Sequence, residues 1–405
     1  MNIAIIGGGA AGFFSALSVK THYPDAEVKI FEKSAKVLSK VKISGGGRCN
    51  VTHACFDNKE LSGHYPRGAR FLQKLFYQFD ANATIEWFKD RNILMKTYPD
   101  GCIFPLSNDS QTIIDCFINE ASSKDIKILT NKPVREIEKI DDQLLLKFDE
   151  EVLFFDRVII TTGGQPKKSG LIWLENLGLE IIDPVPSLFT FNMPTENVTA
   201  LMGNVVNDAT VKIEGEKLVG KGPLLITHWG MSGPAILQLS AWGARLLNQK
   251  NYNFHILVNW LNETKENELG TQLENIKSNN FNKKIVNFNP FPVTNKIWVY
   301  LLEKSSIHID AKWSELNGKL KNRLVNNLLN DRYAVSGKTT FKEEFVTAGG
   351  VALHEINPLT MESKKIKGLF FAGEILDIDG ITGGFNFQAA WTTAFVAGKH
   401  LNAIN

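Results

Sequence analysis

The first twelve residues, MNIAIIGGGAAG, restrict the fold more than any other stretch of the chain. Ile3 to Ile6 is a short apolar run of the kind that forms a central parallel strand. Gly7, Gly9 and Gly12 follow it in the spacing G-x-G-x-x-G, ahead of a helical stretch from Ala11 to about Thr21. Each glycine has its own task. Gly7 permits a tight turn, Gly9 lets the backbone approach a pyrophosphate, and Gly12 lets the helix pack close to the strand, while the helix N-terminus offers unpaired N–H groups to phosphate. A second strand, AEVKIFEK, runs out at Glu32. It lies about 20 residues beyond Gly12, where a dinucleotide-binding unit places an acid for ribose hydroxyls. Strand, glycine turn, helix, strand and acid in this order predict an α/β, Rossmann-type domain.

This fingerprint is common to NAD and FAD, since both carry an ADP half. Three further stretches favour FAD. KISGGGRCNV, Lys42 to Val51, overlaps a glycine-rich loop expected over Lys40 to Asn50, whose backbone N–H groups can reach a pyrophosphate and a flavin ring, with Arg48 adding positive charge. FDRVIITTGG, Phe155 to Gly164, reads as a β-branched strand ending in a glycine turn where the chain returns to the nucleotide. Near the C-terminus a strand to Ala372 leads to Glu374, a turn at Gly383 and Gly384, and a helix from about Asn386 to Ala397. An acid in that place suits the ribityl chain, and the positive end of the helix suits the flavin N1/C2=O edge. Both ends of the chain therefore converge on one cofactor.

Charge and composition exclude other classes. With 45 basic and 43 acidic residues the net charge is +2, so no overall field calls for nucleic acid or an anionic membrane. No apolar run approaches the roughly 18 residues of a membrane span, and the N-terminus reads as a strand rather than a leader, so a cytoplasmic protein is expected. Cys49, Cys55, Cys102 and Cys116 form no C-x-x-C, and the histidines lack metal spacing, so no metal site is expected. Cys49 reads as a small buried loop residue rather than a redox thiol or a flavin tether. Ser232 in GMSGP lacks the nucleophile elbow of a hydrolase. His228 in THWGMSGP and Arg48 are the candidates for a catalytic role, and Asp377 and Asp379 read as turn caps around Gly380. No second nucleotide fingerprint accompanies the first.

GGGAAG, KISGGGRCNVT, GCIFPLSNDS, THWGMSGPAIL, FVTAGGV and GLFFAGEILDIDGITGGFNFQAAW together resemble the bacterial aminoacetone oxidase/YhiN-type family of FAD-dependent flavoproteins. The resemblance implies a glutathione-reductase-like FAD domain built from both chain ends (residues 1–187 and 345–405). It also implies an inserted β-barrel-like domain (188–260 and 331–344) and a small helical domain (261–330). It assigns non-covalent FAD contacts to Gly7, Gly9, Ala10, Ala11, Gly12, Glu32, Lys33, Lys40, Ser44, Gly45, Gly46, Arg48, Cys49 and Asn50, and to Val134, Gly163, Gly373, Glu374, Gly384, Phe385, Asn386 and Phe387. His53 departs from the family's pattern, which has asparagine there. The expected activity is hydride transfer at flavin N5 with a small organic substrate, with reoxidation by oxygen or another acceptor, or reduction by NAD(P)H as a transient reductant. An RNA-modifying flavoprotein and an FAD-binding protein without turnover are the alternatives. Oligomeric state is not indicated.

Overall fold

The computed structural model describes residues 1–262, 264–339 and 346–402. The chain divides into two compact units, Met1–Ser187 with Lys342–Asn405, and Leu188–Phe341. In the first unit the elements that position the site are β1 (Asn2–Ile6), α1 (Ala10–His22), β2 (Glu27–Phe31), α2 (Ser39–Gly47), α3 (Asn58–Ser62), β3 (Lys127–Leu129), β4 (Arg157–Ile160), β5 (Leu369–Phe371) and α4 (Phe385–Lys399). The five strands form one parallel sheet in the order β5-β4-β1-β2-β3.

Ile3, Ala4 and Ile5 of β1 and Val158, Ile159 and Ile160 of β4 are fully buried, the unbroken apolar pattern of strands covered on both faces. On one face α1 lies beside α4, more than 360 residues later in the chain. The Ser18 hydroxyl donates to the Phe395 carbonyl at 2.7 Å and the Tyr23 hydroxyl to the Lys399 carbonyl at 2.9 Å. Phe14 of α1 packs its ring 4.6 Å from Trp87, 5.2 Å from Phe79 and 5.4 Å from Trp391. Burying one such side chain contributes about 1.5–3 kcal/mol, so this aromatic cluster fixes α1 and α4 against each other. After Val134 the chain forms an antiparallel meander of strands Glu136–Ile140, Gln143–Lys147 and Val152–Phe155.

The second unit carries a seven-stranded antiparallel sheet, ordered Asp331–Ser336, Asn253–Asn259, Val205–Ile213, Val219–Thr227, Gly230–Ser232, Thr190–Asn192 and Lys338–Thr339. Its first and last strands are neighbours in the chain. They are separated only by Gly337 at φ 98°, so one segment pairs with 253–259 on one side and 190–192 on the other and wraps the sheet round. The helices Glu266–Asn279, Asn295–Lys304 and Gly318–Leu329 share one hydrophobic core with this sheet, Leu269, Trp298 and Leu324 packing with Val211, Ile256 and Trp260.

Candidate functional site

The glycine turn after β1 contains two kinds of glycine. At Gly7, with φ 114°, an added Cβ would lie 2.5 Å from the Thr161 carbonyl oxygen, and at Gly12 it would fall on the Gly7 carbonyl oxygen. These two serve internal packing, reinforced by the Thr161 hydroxyl, which donates to Ile6 and Gly7 carbonyls at 3.0 and 2.9 Å. Gly9 is different: nothing lies within 4 Å of the position its Cβ would take. It caps α1 without a side-chain hydrogen bond, and the first turn holds no acid. The first N–H groups and the positive end of this 13-residue helix therefore lack a side-chain cap or a compensating acid in the first turn.

Glu32 follows β2 and turns back to this corner. One carboxylate oxygen accepts the Gly8 N–H at 2.8 Å and the other accepts from the backbone N–H and hydroxyl of Ser34 at 2.9 and 2.8 Å. Lys33 beside it is exposed, and Val134 is half-buried two residues beyond Lys132, whose N–H donates to the Glu32 carbonyl at 2.9 Å.

The stretch expected as a loop over Lys40 to Asn50 is a correction, because it begins as a helix. The backbone stays helical from Ser39 as far as Ile43, with Val41 fully buried as its anchor. It then breaks at Ser44, which is extended, and Gly45 and Gly46, which are left-handed. The apolar Val41 supplies a packing face that a polar, glycine-weighted reading of the stretch overlooks. Gly46 and Gly47 have nothing within 4 Å of a would-be Cβ, whereas Gly45 is packed against Phe104. Arg48 donates from Nε to the Gly45 carbonyl at 3.0 Å and lays its guanidinium over the Phe104 ring, 4.4 Å from the centroid. Cys49 is fully buried, and burial pushes its thiol up to about 12. Asn50 joins this segment to the distant C-terminal turn, its amide donating to the Thr52 carbonyl at 3.0 Å and accepting from the Gly384 N–H at 3.2 Å.

From β5 the chain passes to Gly373, whose N–H donates to the Thr393 hydroxyl at 2.9 Å, and Glu374. The Glu374 carboxylate accepts the Thr347 N–H at 2.9 Å and pairs with Lys40 at 2.7 Å. A Cβ at Gly164 would meet this same carboxylate, while Gly163 before it opens on empty space. Gly384 caps α4 at φ 92° with no side-chain cap and no acid in the first turn. Phe385 stacks on His53 at 4.6 Å and on His64 at 4.4 Å, and Phe387 stacks on Trp391 at 5.3 Å. The Asn386 amide is occupied within its own turn, accepting from the Gly380 N–H and donating to its carbonyl at 2.9 and 3.0 Å. His53, the departure from the family pattern, bonds through Nδ1 to the Gly383 carbonyl at 3.0 Å.

Polar contacts thus link Gly8 with Glu32, Gly7 with Thr161, Lys40 with Glu374, and Asn50 with Gly384. Gly9, Gly46, Gly47 and Gly163 are the positions where a bound molecule could touch backbone. Gly47 was not among the expected contacts, although its place in the triple glycine was a signal for it. Asp379 is a second correction. It is fully buried rather than a turn cap, bound by Arg67 through Nε and Nη2 and by the Ser187 hydroxyl at 2.6 Å, with its pKa raised by burial against the opposing pull of Arg67. Nothing in the DIDG tetrapeptide distinguishes that role from an exposed turn. His228 belongs to the other unit, exposed in the turn between Val219–Thr227 and Gly230–Ser232 with its ring 4.1 Å from Trp229.

Comparison with known proteins extends over the whole chain. The HI0933-like protein Rossmann domain family matches residues 1–400. The 3-dehydro-bile acid delta(4,6)-reductase of Clostridium scindens is 27% identical over 409 residues, covering 98% of each chain. The ribosomal RNA dihydrouridine synthase of Escherichia coli is 26% identical over 410 residues, covering 98% of this chain and 97% of that one. Among solved structures, the 3-ketosteroid delta1-dehydrogenase of Sterolibacterium denitrificans superposes with a TM-score of 0.53 at 11% identity, covering 98% of both chains. Among the described residues, no helix is long and apolar enough to cross a membrane.

Proposed function

The chain belongs to the HI0933-like family, a flavoprotein oxidoreductase family with a Rossmann-type FAD-binding domain, and from that premise we propose that it binds FAD non-covalently and reduces a carbon–carbon double bond conjugated to a carbonyl group. The observation that carries the cofactor half is the set of glycines, Gly9, Gly46, Gly47 and Gly163, whose missing side chains leave backbone open beside the uncapped start of α1. A diphosphate needs N–H donors and close approach there, and side chains would block both.

Gly9 and the first turn of α1 would hold the pyrophosphate, Glu32 the adenosine ribose, and the Ser44–Asn50 segment, Glu374 and the start of α4 the flavin half. Bound FAD supplies a two-electron carrier that gives or accepts a hydride at N5. The chain's own contribution is orientation and charge: the uncapped start of α4 offers a positive end, and the Lys40–Glu374 pair keeps a buried-side carboxylate compensated. Saturating a double bond also needs a proton. Cys102 is half-buried, interacts with Asn50, and is pushed up to about 11 chiefly by burial, so it carries its proton at neutral pH and is our candidate to deliver it from Sγ.

The direction rests on the relatives. A delta(4,6)-reductase of a 3-keto acid and a dihydrouridine synthase both saturate a C=C bond conjugated to a carbonyl, although their substrates differ greatly in size. Overall balance is a hydride to the β carbon and a proton to the α carbon. The test starts from purified protein reduced anaerobically with dithionite and mixed with a cyclic enone, a 4-ene-3-keto steroid, fumarate, uridine, or uridine-bearing RNA. Return of the oxidised flavin band with one of these conjugated acceptors, and a product two hydrogens heavier, is the expected result. Reduction of the oxidised protein by amines such as aminoacetone, with no response to any conjugated acceptor, would overturn the reading in favour of an amine oxidase. Parallel mixing with NADH and NADPH identifies the reductant.

A further inference from the structure

We propose a metal site on the Cys55–His64 turn, in which Cys55, Glu60 and His64 bind one divalent cation of the zinc type. Cys55 precedes α3, Glu60 lies within it and His64 follows it in a turn, where its N–H donates to the Leu61 carbonyl at 3.2 Å. The Cys55 sulfur, a Glu60 carboxylate oxygen and a His64 ring nitrogen all lie within 4.8 Å of one another. Tetrahedral zinc, with bonds of about 2.0–2.3 Å, sets its ligand atoms roughly 3–4 Å apart, so small side-chain rotations close the site.

None of the three side chains has a hydrogen-bond or ion-pair partner among the described residues. Asp57, the acid nearest in sequence, is occupied in capping α3, its carboxylate accepting the Glu60 N–H at 2.7 Å. Cys55 is 5% exposed, His64 half-buried and Glu60 exposed, so the site opens to water on the Glu60 side, where a fourth ligand could enter. Binding a divalent ion through Sγ would deprotonate Cys55, releasing one proton. The other grouping of this kind, Glu180, His354 and Glu355, lacks this character because Lys365 already neutralises Glu355 at 2.7 Å.

Thiolate, imidazole and carboxylate together fit zinc better than calcium or magnesium, which take oxygen sets. The role is a clip. His64 stacks on Phe385 at the start of α4, and an ion joining His64 to Cys55 would hold that contact in place. The test uses FAD-loaded protein stripped of metal by a chelator and titrated with Zn2+ or Co2+. One ion per chain by elemental analysis, Co2+ d–d bands lying to the red of the flavin, and a higher melting temperature with Zn2+ are expected. Glu60→Gln, Cys55→Ser and His64→Gln should each weaken binding by more than the roughly 10–100-fold typical of losing an outer-shell partner. Retained flavin and an unchanged melt without metal show each variant is folded, and the exposed Glu60→Gln cannot fail on that score. Sub-stoichiometric zinc, or affinity in the three variants unchanged from that of the unsubstituted protein, overturns the site.

Discussion

Gly9 and Gly12 are three residues apart in one motif, yet their replacement by alanine should produce opposite phenotypes. At Gly9 an added methyl finds nothing within 4 Å, and φ is −92°, which any residue adopts. The cost to the empty protein is that of a poorer helix N-cap, about 1 kcal/mol or less. If a diphosphate packs on that backbone, the methyl displaces it from at least one charge-assisted N–H contact worth about 1.5–3 kcal/mol, or roughly 10- to 100-fold in FAD affinity. At Gly12 the methyl falls on the Gly7 carbonyl oxygen and lies 3.0 Å from the Thr161 hydroxyl, so strand and helix must separate. Overpacking of this kind costs about 1–3 kcal/mol, which at about 2–4 °C per kcal/mol lowers the melting temperature by several degrees. The assay pairs thermal melts of flavin-free protein with FAD titration by fluorescence quenching. Gly9→Ala should melt close to wild type and bind FAD poorly, while Gly12→Ala should melt early. A Gly9→Ala protein that binds FAD with unchanged affinity would refute the reasoning, since it would mean that the open space at Gly9 is not where the cofactor lies.

Arg67→Ala should destabilise the first unit by about 3–5 kcal/mol in a denaturant melt, because it strands the fully buried Asp379 carboxylate with only the Ser187 hydroxyl; a loss under 1 kcal/mol would contradict the pairing. Alkylation of native protein at pH 8 should leave Cys49 unmodified, since its thiol titrates near 12 and is enclosed, whereas unfolding should expose it, as peptide mapping would reveal. Cys102→Ala should slow flavin reoxidation by a conjugated acceptor in stopped-flow mixing while leaving reoxidation by oxygen unchanged; equal slowing of both would remove Cys102 as proton donor. The Asn2 N–H, 2.7 Å from the Asp156 carboxylate, holds its pKa below the usual range. Its contribution, under about 1 kcal/mol at this half-exposed site, is complete above the unfolded value near 3.9 and is lost as pH falls through the lower folded value. Asp156→Asn should therefore cost stability at pH 7, and the cost should shrink as pH falls below the unfolded value, as followed by thermal melts.

What could be read in the sequence follows from how local the physics is. β1, α1, β2 and Glu32 are legible because a single strand–turn–helix unit needs Gly7 for its turn and Gly12 for its packing, and both demands fall within a dozen residues. The start of α4 was legible for the same reason, through the paired glycines before it. By contrast, the helical onset of Ser39–Ile43 is hidden behind the glycines that follow, and one buried valine decides it. Arg67, Ser187 and Asp379 lie 120 to 312 residues apart, and no pattern in any one segment marks them as partners. The same limit separates cofactor from substrate. FAD presents phosphate and ribose groups that must be met by backbone at fixed offsets, so its site is written in spacing. A conjugated alkene asks only for a shaped surface and one proton, which many side chains can supply. Relatives named for a bile acid and for ribosomal RNA can therefore match this chain over nearly its whole length, and the residues that choose between such substrates should be sought outside the glycine turns that face the cofactor.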